Sequence, residues 1–235
     1  MINKIKIRFP GKKLFLFLIF TGIVSAQTFK VESVSGDVKY QSGSSEKWVE
    51  LKAGQTIGDD AVISTGAKSS VLLKNNDVQF KLDEFSAVSV SSIKKMDVND
   101  LLLALAMEDM MNAPKKIKKS SDNTAVYGTD ESNTNEPVLK SNDFGVKRLN
   151  GAVELAGSGF EESAVVAAKE TYRKYPGTKN LPSYRIYFAD ILYNKGLYEE
   201  ALDEYTAIQK LKLTAEEQAK VNEKTEAIKM KLLSE

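Results

Sequence analysis

The sequence predicts an α+β, multi-domain chain: an N-terminal all-β unit, a sandwich or small β-solenoid, followed by a C-terminal all-α helical repeat. Three observations predict it. Residues 51–73, LKAGQTIGDDAVISTGAKSSVLL, set short apolar groups between Gly and Asp turns: Ile57 before Gly58-Asp59-Asp60, Val62-Ile63 before Thr65-Gly66, then Val71-Leu72-Leu73. Runs so short and so often interrupted are strands of a compact β module. Val78, Phe80 and Leu82 alternate with Gln79 and Lys81, the period of a half-buried strand. Beyond residue 141 the pattern turns helical, and residues recur at a spacing of 37.

Composition narrows the chemistry. The 235 residues leave room for one large or two small domains. The formal net charge is +1, but Lys4, Lys6, Arg8, Lys12 and Lys13 lie in a first 26 residues that hold no acid. The remainder carries 28 basic against 32 acidic residues. A mildly acidic body argues against a nucleic-acid partner, whose phosphates favour a basic face. There is no Cys and no His. Disulfides, Cys-based zinc sites and Ser-His-Asp or Cys-His catalysis are excluded by that alone. No catalytic residue, metal ligand or cofactor is expected.

Residues 1–26 have the three-part layout of a secretory signal peptide: a basic start to Lys13, an apolar run at 14–24 (LFLFLIFTGIV), and Val24 and Ala26 as small residues before Gln27. The apolar run is about half of the ~20 residues that a membrane-spanning helix needs. No Cys follows it to take a lipid. The expectation is an exported chain, periplasmic or secreted, cut near Ala26; retention of residues 14–24 as an anchor is the alternative.

The β module is placed at residues 28–95. Phe29-Val31-Val34 runs to Gly36-Asp37, Val38-Tyr40 follows, residues 42–45 are a polar turn, and Trp48, Val49 and Leu51 form the next apolar group. Val88-Val90 closes a series of about seven short strands. Gly54, Gly58 and Gly66 are read as positive-φ turn positions. Trp48 is read as a core residue, and Asp59 and Asp60 as turn residues, since they lack the spacing of a calcium loop.

The spacing Gly36-x-Val38, Trp48-x-x-Leu51-x-x-Gly54, Ile57-Gly58-Asp59 and Ile63-x-Thr65-Gly66-x-x-Ser69 resembles the FecR domain of bacterial envelope proteins. The resemblance implies structural roles for Gly36, Trp48, Gly54, Gly58, Asp59, Thr65 and Gly66. Residues 124–130 resemble the closing Val-Arg-Gly-Thr strand of that family, with Tyr127 where the Arg stands.

Between the halves, Asp97 caps a helix over residues 96–112, with Leu101, Leu102, Leu105 and Met110 at helical spacings. It is expected to pack across an open edge of the β module, with docking to another protein as the alternative, because its apolar side needs cover. Pro114 ends it. Residues 113–140 read as linker apart from the strand at 124–130, and include the run Lys115-Lys116-Ile117-Lys118-Lys119.

In the helical part, 141–235, Arg148/Arg185, Ala152/Ala189, Leu155/Leu192, Gly159/Gly196, Glu162/Glu199 and Ala164/Ala201 are each 37 residues apart. Small Ala at crossing points, Gly between helices and Tyr175-Pro176 after a second helix resemble the tetratricopeptide repeat, whose period is about 34. Thr214 with Glu217 forms a capping box for a last helix, expected to be a C-terminal cap with sparse apolar residues Val221, Ile228 and Leu232. In that family the first helices line a peptide groove. The resemblance therefore implies partner-binding roles for Leu149, Val153, Ser183, Ile186, Asp190, Tyr193 and Asn194.

These readings converge on a non-catalytic, exported adaptor that binds an envelope protein or peptide, with peptidoglycan and anionic lipid as further candidate partners. A FecR-type regulator of transmembrane signalling, anchored by an uncleaved N-terminal helix, is the alternative. A two-carboxylate glycan hydrolase is a third class, but runs such as Glu199-Glu200 are more simply a solvated helix face.

Overall fold

The computed structural model describes residues 27–43, 45–76, 78–112 and 137–234. The expected signal peptide, the basic run at 115–119 and the strand at 124–130 lie outside them. An N-terminal region of two antiparallel sheets is followed by six α-helices, so the α+β class holds. The strands are β1 (Thr28–Ser35), β2 (Val38–Gln41), β3 (Val49–Glu50), β4 (Thr56–Gly58), β5 (Val62–Thr65), β6 (Ser70–Lys74), β7 (Gln79–Leu82) and β8 (Ala87–Ser89). One sheet has the order β4-β1-β6-β7 and the other β3-β2-β5-β8.

Period-two alternation sends one side of each sheet inward. Phe29, Val31, Val71, Leu73, Phe80 and Leu82 are buried from the first sheet, and Val38, Ile63, Thr65 and Val88 from the second. The turn between β1 and β2 needs glycine: Gly36 has φ +73°, and a Cβ there would lie 2.9 Å from the Lys68 carbonyl oxygen. Gly54 is also left-handed, at φ +86°. Gly58 and Gly66 are not, contrary to the expectation above; Gly58 closes β4, and Gly66 donates its N–H to the Asp37 carbonyl at 2.8 Å.

The helices are α1 (Val98–Asn112), α2 (Phe144–Gly157), α3 (Glu161–Lys174), α4 (Pro182–Asn194), α5 (Tyr198–Ile208) and α6 (Ala215–Leu232). The 37-residue repeat is visible in the backbone itself. The turn after α2 bonds Phe160 N–H to the Leu155 carbonyl at 2.9 Å, and the turn after α4 bonds Leu197 N–H to the Leu192 carbonyl at 3.0 Å. Gly159 (φ +84°) and Gly196 (φ +80°) take the left-handed position in each. Thr214 and Glu217 form the reciprocal capping box at the start of α6.

α1 is capped by Asp97, whose carboxylate accepts from the Asp100 N–H at 2.8 Å. It packs on α3, not on a sheet edge. Leu101 and Leu105 are buried on that side, and so is Glu108. Glu108 accepts from Arg173 Nε of α3 at 2.8 Å. The pair satisfies a carboxylate that burial would otherwise penalise heavily.

One apolar core runs from the sheets into the helices. α2 lies on β8, so closely that a Cβ on Gly151 would be 2.1 Å from the Ala87 carbonyl oxygen. Leu139, in the stretch read as linker, is buried and tied to Asn150 of α2. The loop between β7 and β8 completes the joint. Glu154 of α2 accepts from the Asp83 N–H at 2.8 Å and from the Ser86 hydroxyl at 2.5 Å.

Burial pushes the Glu154 carboxyl up to about 7, against the Ser86 and Asp83 hydrogen bonds and the Lys81 charge, which favour ionisation; the Asp83 charge adds to the rise. Because the folded value lies above the unfolded one, its contribution is complete below about pH 4.5 and is lost as pH rises through about 7. The loss is on the order of 3 kcal/mol. Glu154→Gln keeps both contacts, accepting from Asp83 and donating to Ser86, and removes the titration. Its melting temperature should exceed that of the parent by roughly 5 °C at pH 8, with the gap closing at pH 5. Thermal melts at the two pH values check this; parallel pH profiles would refute it.

Candidate functional site

The outer face of the second sheet is only partly covered by α2. Where the cover ends, Asp37, Lys39, Trp48, Ser64, Thr65, Gly66, Phe144 and Lys147 line a cleft of about 130 Å³. Register explains which side chains meet there. Lys39 of β2 lies opposite both Glu50 of β3 and Ser64 of β5, so all three share one face. Trp48, two residues before Glu50, shares it by the same alternation.

Trp48 is 38% exposed, not the core residue its size suggests, because it enters a two-residue strand at the end of a sheet. Its ring meets the edge of Phe144 at 5.5 Å between centroids, and Phe144 meets Tyr175 at 5.9 Å. Gly145 allows that second approach: a Cβ there would be 2.8 Å from Tyr175 Cβ. Asp143 orients the start of α2, accepting from the Val146 N–H at 3.0 Å, and so places Phe144 over the cleft.

The floor is polar and braced. Beneath it, on the inward side of β5, Thr65 Oγ1 accepts from the Ser86 N–H at 2.9 Å and donates to the Asp83 carbonyl. Lys147 Nζ donates to the Thr65 carbonyl at 2.8 Å, and partial burial lowers its pKa, offset in part by the Asp37 charge. Lys39 and Asp37 form an exposed ion pair at 3.3 Å. An aromatic wall beside a hydrogen-bonding floor holds a ligand by stacking and polar contact.

The groove predicted on the helical part is filled by the chain itself. Leu149, Val153 and Ile186 are buried core residues, so they line no open groove. Asp190 accepts from the Tyr205 hydroxyl at 2.5 Å and pairs with Lys220 of α6 at 2.7 Å. Lys224 of α6 sits 4.2 Å from the centre of the Tyr193 ring. Ser183 is half-buried and Asn194 exposed. The capping helix thus covers Asp190 and Tyr193. Of the FecR-like set, Trp48, Thr65 and Gly66 reach the cleft. Gly36, Gly54, Gly58 and Asp59 serve turns and strand ends.

Sequence reasoning missed Asp37, Lys39, Ser64, Phe144 and Lys147. The alternation of Lys39 with Val38 and Tyr40 marked an outward position, but nothing local shows that α2 stops short above it. α1 also keeps an open side: Leu103 is 65% and Met110 78% exposed, with Met107 and Met111 beside them. Among the described residues no acidic cluster is arranged to hold a metal, and no helix is long and apolar enough to cross a membrane.

No protein-family model matches the chain, and no curated protein or solved structure matches it.

Proposed function

We propose that this chain is a non-catalytic, exported adaptor that holds a protein partner in the bacterial cell envelope. The observation that carries the reading is the cleft with a half-exposed Trp48 against Phe144. A large aromatic residue left open beside a polar floor is the usual form of a binding hot spot. Support for a FecR-like module comes from short antiparallel strands with Gly36 and Gly54 left-handed at their turns. Support for a tetratricopeptide-like array comes from the matched helix turns at Gly159 and Gly196. The adaptor acts as one body, because its core is continuous across the joint.

A tagged full chain recovered from envelope extract should retain a specific protein, identified by mass spectrometry. Trp48→Ala should reduce that recovery at least tenfold, as loss of ~1.4 kcal/mol or more implies. Its melting temperature should stay close to the parent's, since the side chain is partly solvated. Equal recovery by Trp48→Ala would remove the cleft from the interaction. A mature chain starting at Gln27 supports export in soluble form; one retaining residues 14–24 favours the anchored signalling regulator.

A further inference from the structure

One boundary of the cleft is made of backbone. β3 is the terminal strand of its sheet. The Leu51 N–H donates to the Val38 carbonyl at 2.9 Å, so Leu51 turns its peptide groups toward β2. In an antiparallel ladder that direction alternates along the strand. Glu50, and two residues earlier Trp48, therefore direct N–H and C=O away from β2, to the open edge. Their side chains lie on the cleft face, where Glu50 stands opposite Lys39. Among the described residues nothing pairs with those backbone groups, and they belong to the same residues that share the cleft face.

Resting on the reading of this cleft as a binding site, we propose that β3 accepts an extended polypeptide segment of a partner as a fifth, antiparallel strand. The segment carries a large apolar side chain opposite Trp48 and a basic side chain opposite Glu50. Two outward donor–acceptor pairs at the two-residue strand repeat match an extended chain, which presents its own peptide groups at that repeat. The cleft, at about 130 Å³, has room for about one side chain beside the Trp48–Phe144 pair. Cross-strand pairing then sets the chemistry: an aromatic or β-branched residue is favoured opposite Trp48, and a cation opposite the exposed Glu50 carboxylate. Lys39 already pairs with Asp37 within the cleft, which leaves Glu50 to the incoming strand.

Trp48 is the only tryptophan, so the emission of the full chain reads the cleft directly. The probe is an acetylated, amidated peptide Thr-Lys-Thr-Phe-Thr. It places Lys opposite Glu50 and Phe opposite Trp48 in the antiparallel register. Saturable change in emission is expected at sub-millimolar peptide. N-methylation of the Lys and Phe amides should weaken binding at least tenfold, because it removes the two donors facing β3. Exchanging the peptide Lys for Glu should weaken binding several-fold, and Glu50→Lys in the protein should restore it. No saturable change up to several millimolar, equal binding of the N-methylated peptide, or no rescue by Glu50→Lys overturns the proposal. If the peptide fails while Trp48→Ala still releases the envelope partner, strand addition is wrong and the cleft reading stands. If both fail, both fall.

Discussion

Gly151→Ala should lower the melting temperature by roughly 6–12 °C and shift Trp48 fluorescence and helical circular dichroism together. Alanine in a helix interior ordinarily gains about 1 kcal/mol over glycine, so the sign itself tests the joint. The new Cβ would stand 2.1 Å from the Ala87 carbonyl oxygen and 2.8 Å from its carbon. Neither atom can swing aside as a side-chain tip would. Ala87 is buried in β8 and paired with Ser64 of β5, so α2 must lift or the strand must shift. Such overpacking costs about 3 kcal/mol or more once the propensity gain is included. Gly177→Ala is the control, since nothing lies within 4 Å of a Cβ there. A change within about 2 °C for Gly151→Ala would mean that the joint is looser than its geometry requires.

Asn150→Leu should cost roughly 3–5 kcal/mol, read as a fall in the urea midpoint. Asn150 is fully buried and joins three separate stretches of chain. Its Nδ2 donates to the Phe85 carbonyl at 2.7 Å and to the Leu139 carbonyl at 2.8 Å. Its Oδ1 accepts from the Tyr184 hydroxyl of α4, and from the Leu139 N–H at 3.3 Å. A leucine fills the volume but strands these groups away from water, at about 1–3 kcal/mol each where no other partner is found. Phe85 is affected directly. Its φ of 54° is uncomfortable for a bulky residue, and the Asn150 bond is part of what holds it. Tyr184→Phe should cost less, because Leu139 and Asn150 keep their mutual bonds. The double variant should be less destabilised than the sum of the singles by about 1 kcal/mol or more. Additive losses would show that Asn150 and Tyr184 act independently.

The two expectations concern the same few residues, and neither glycine nor asparagine was marked by its local sequence. Gly151 sits inside a helical pattern, where it reads as a small defect. Asn150 precedes it as a polar residue on a helix and reads as solvated. Each is explained only by what α2 rests on. The same holds for Glu108, which interrupts an apolar helix face until Arg173 is brought opposite it.

By itself the sequence determined the elements and their punctuation. Alternation placed β7, the 37-residue spacing placed the paired helices, and Asp97, Thr214 and Glu217 marked two helix starts. Those are properties of the linear chain: alternation and caps are set within a few positions, and the repeat by recurrence along the sequence. Tertiary structure alone decided which faces stay open. Trp48 is half-exposed because β3 ends its sheet, Tyr193 and Asp190 are covered because α6 folds back over α4, and the cleft exists because α2 begins only at Phe144. Hydrophobic burial is non-directional: a pattern of apolar residues states that a face must be covered, and only the packed chain states by what.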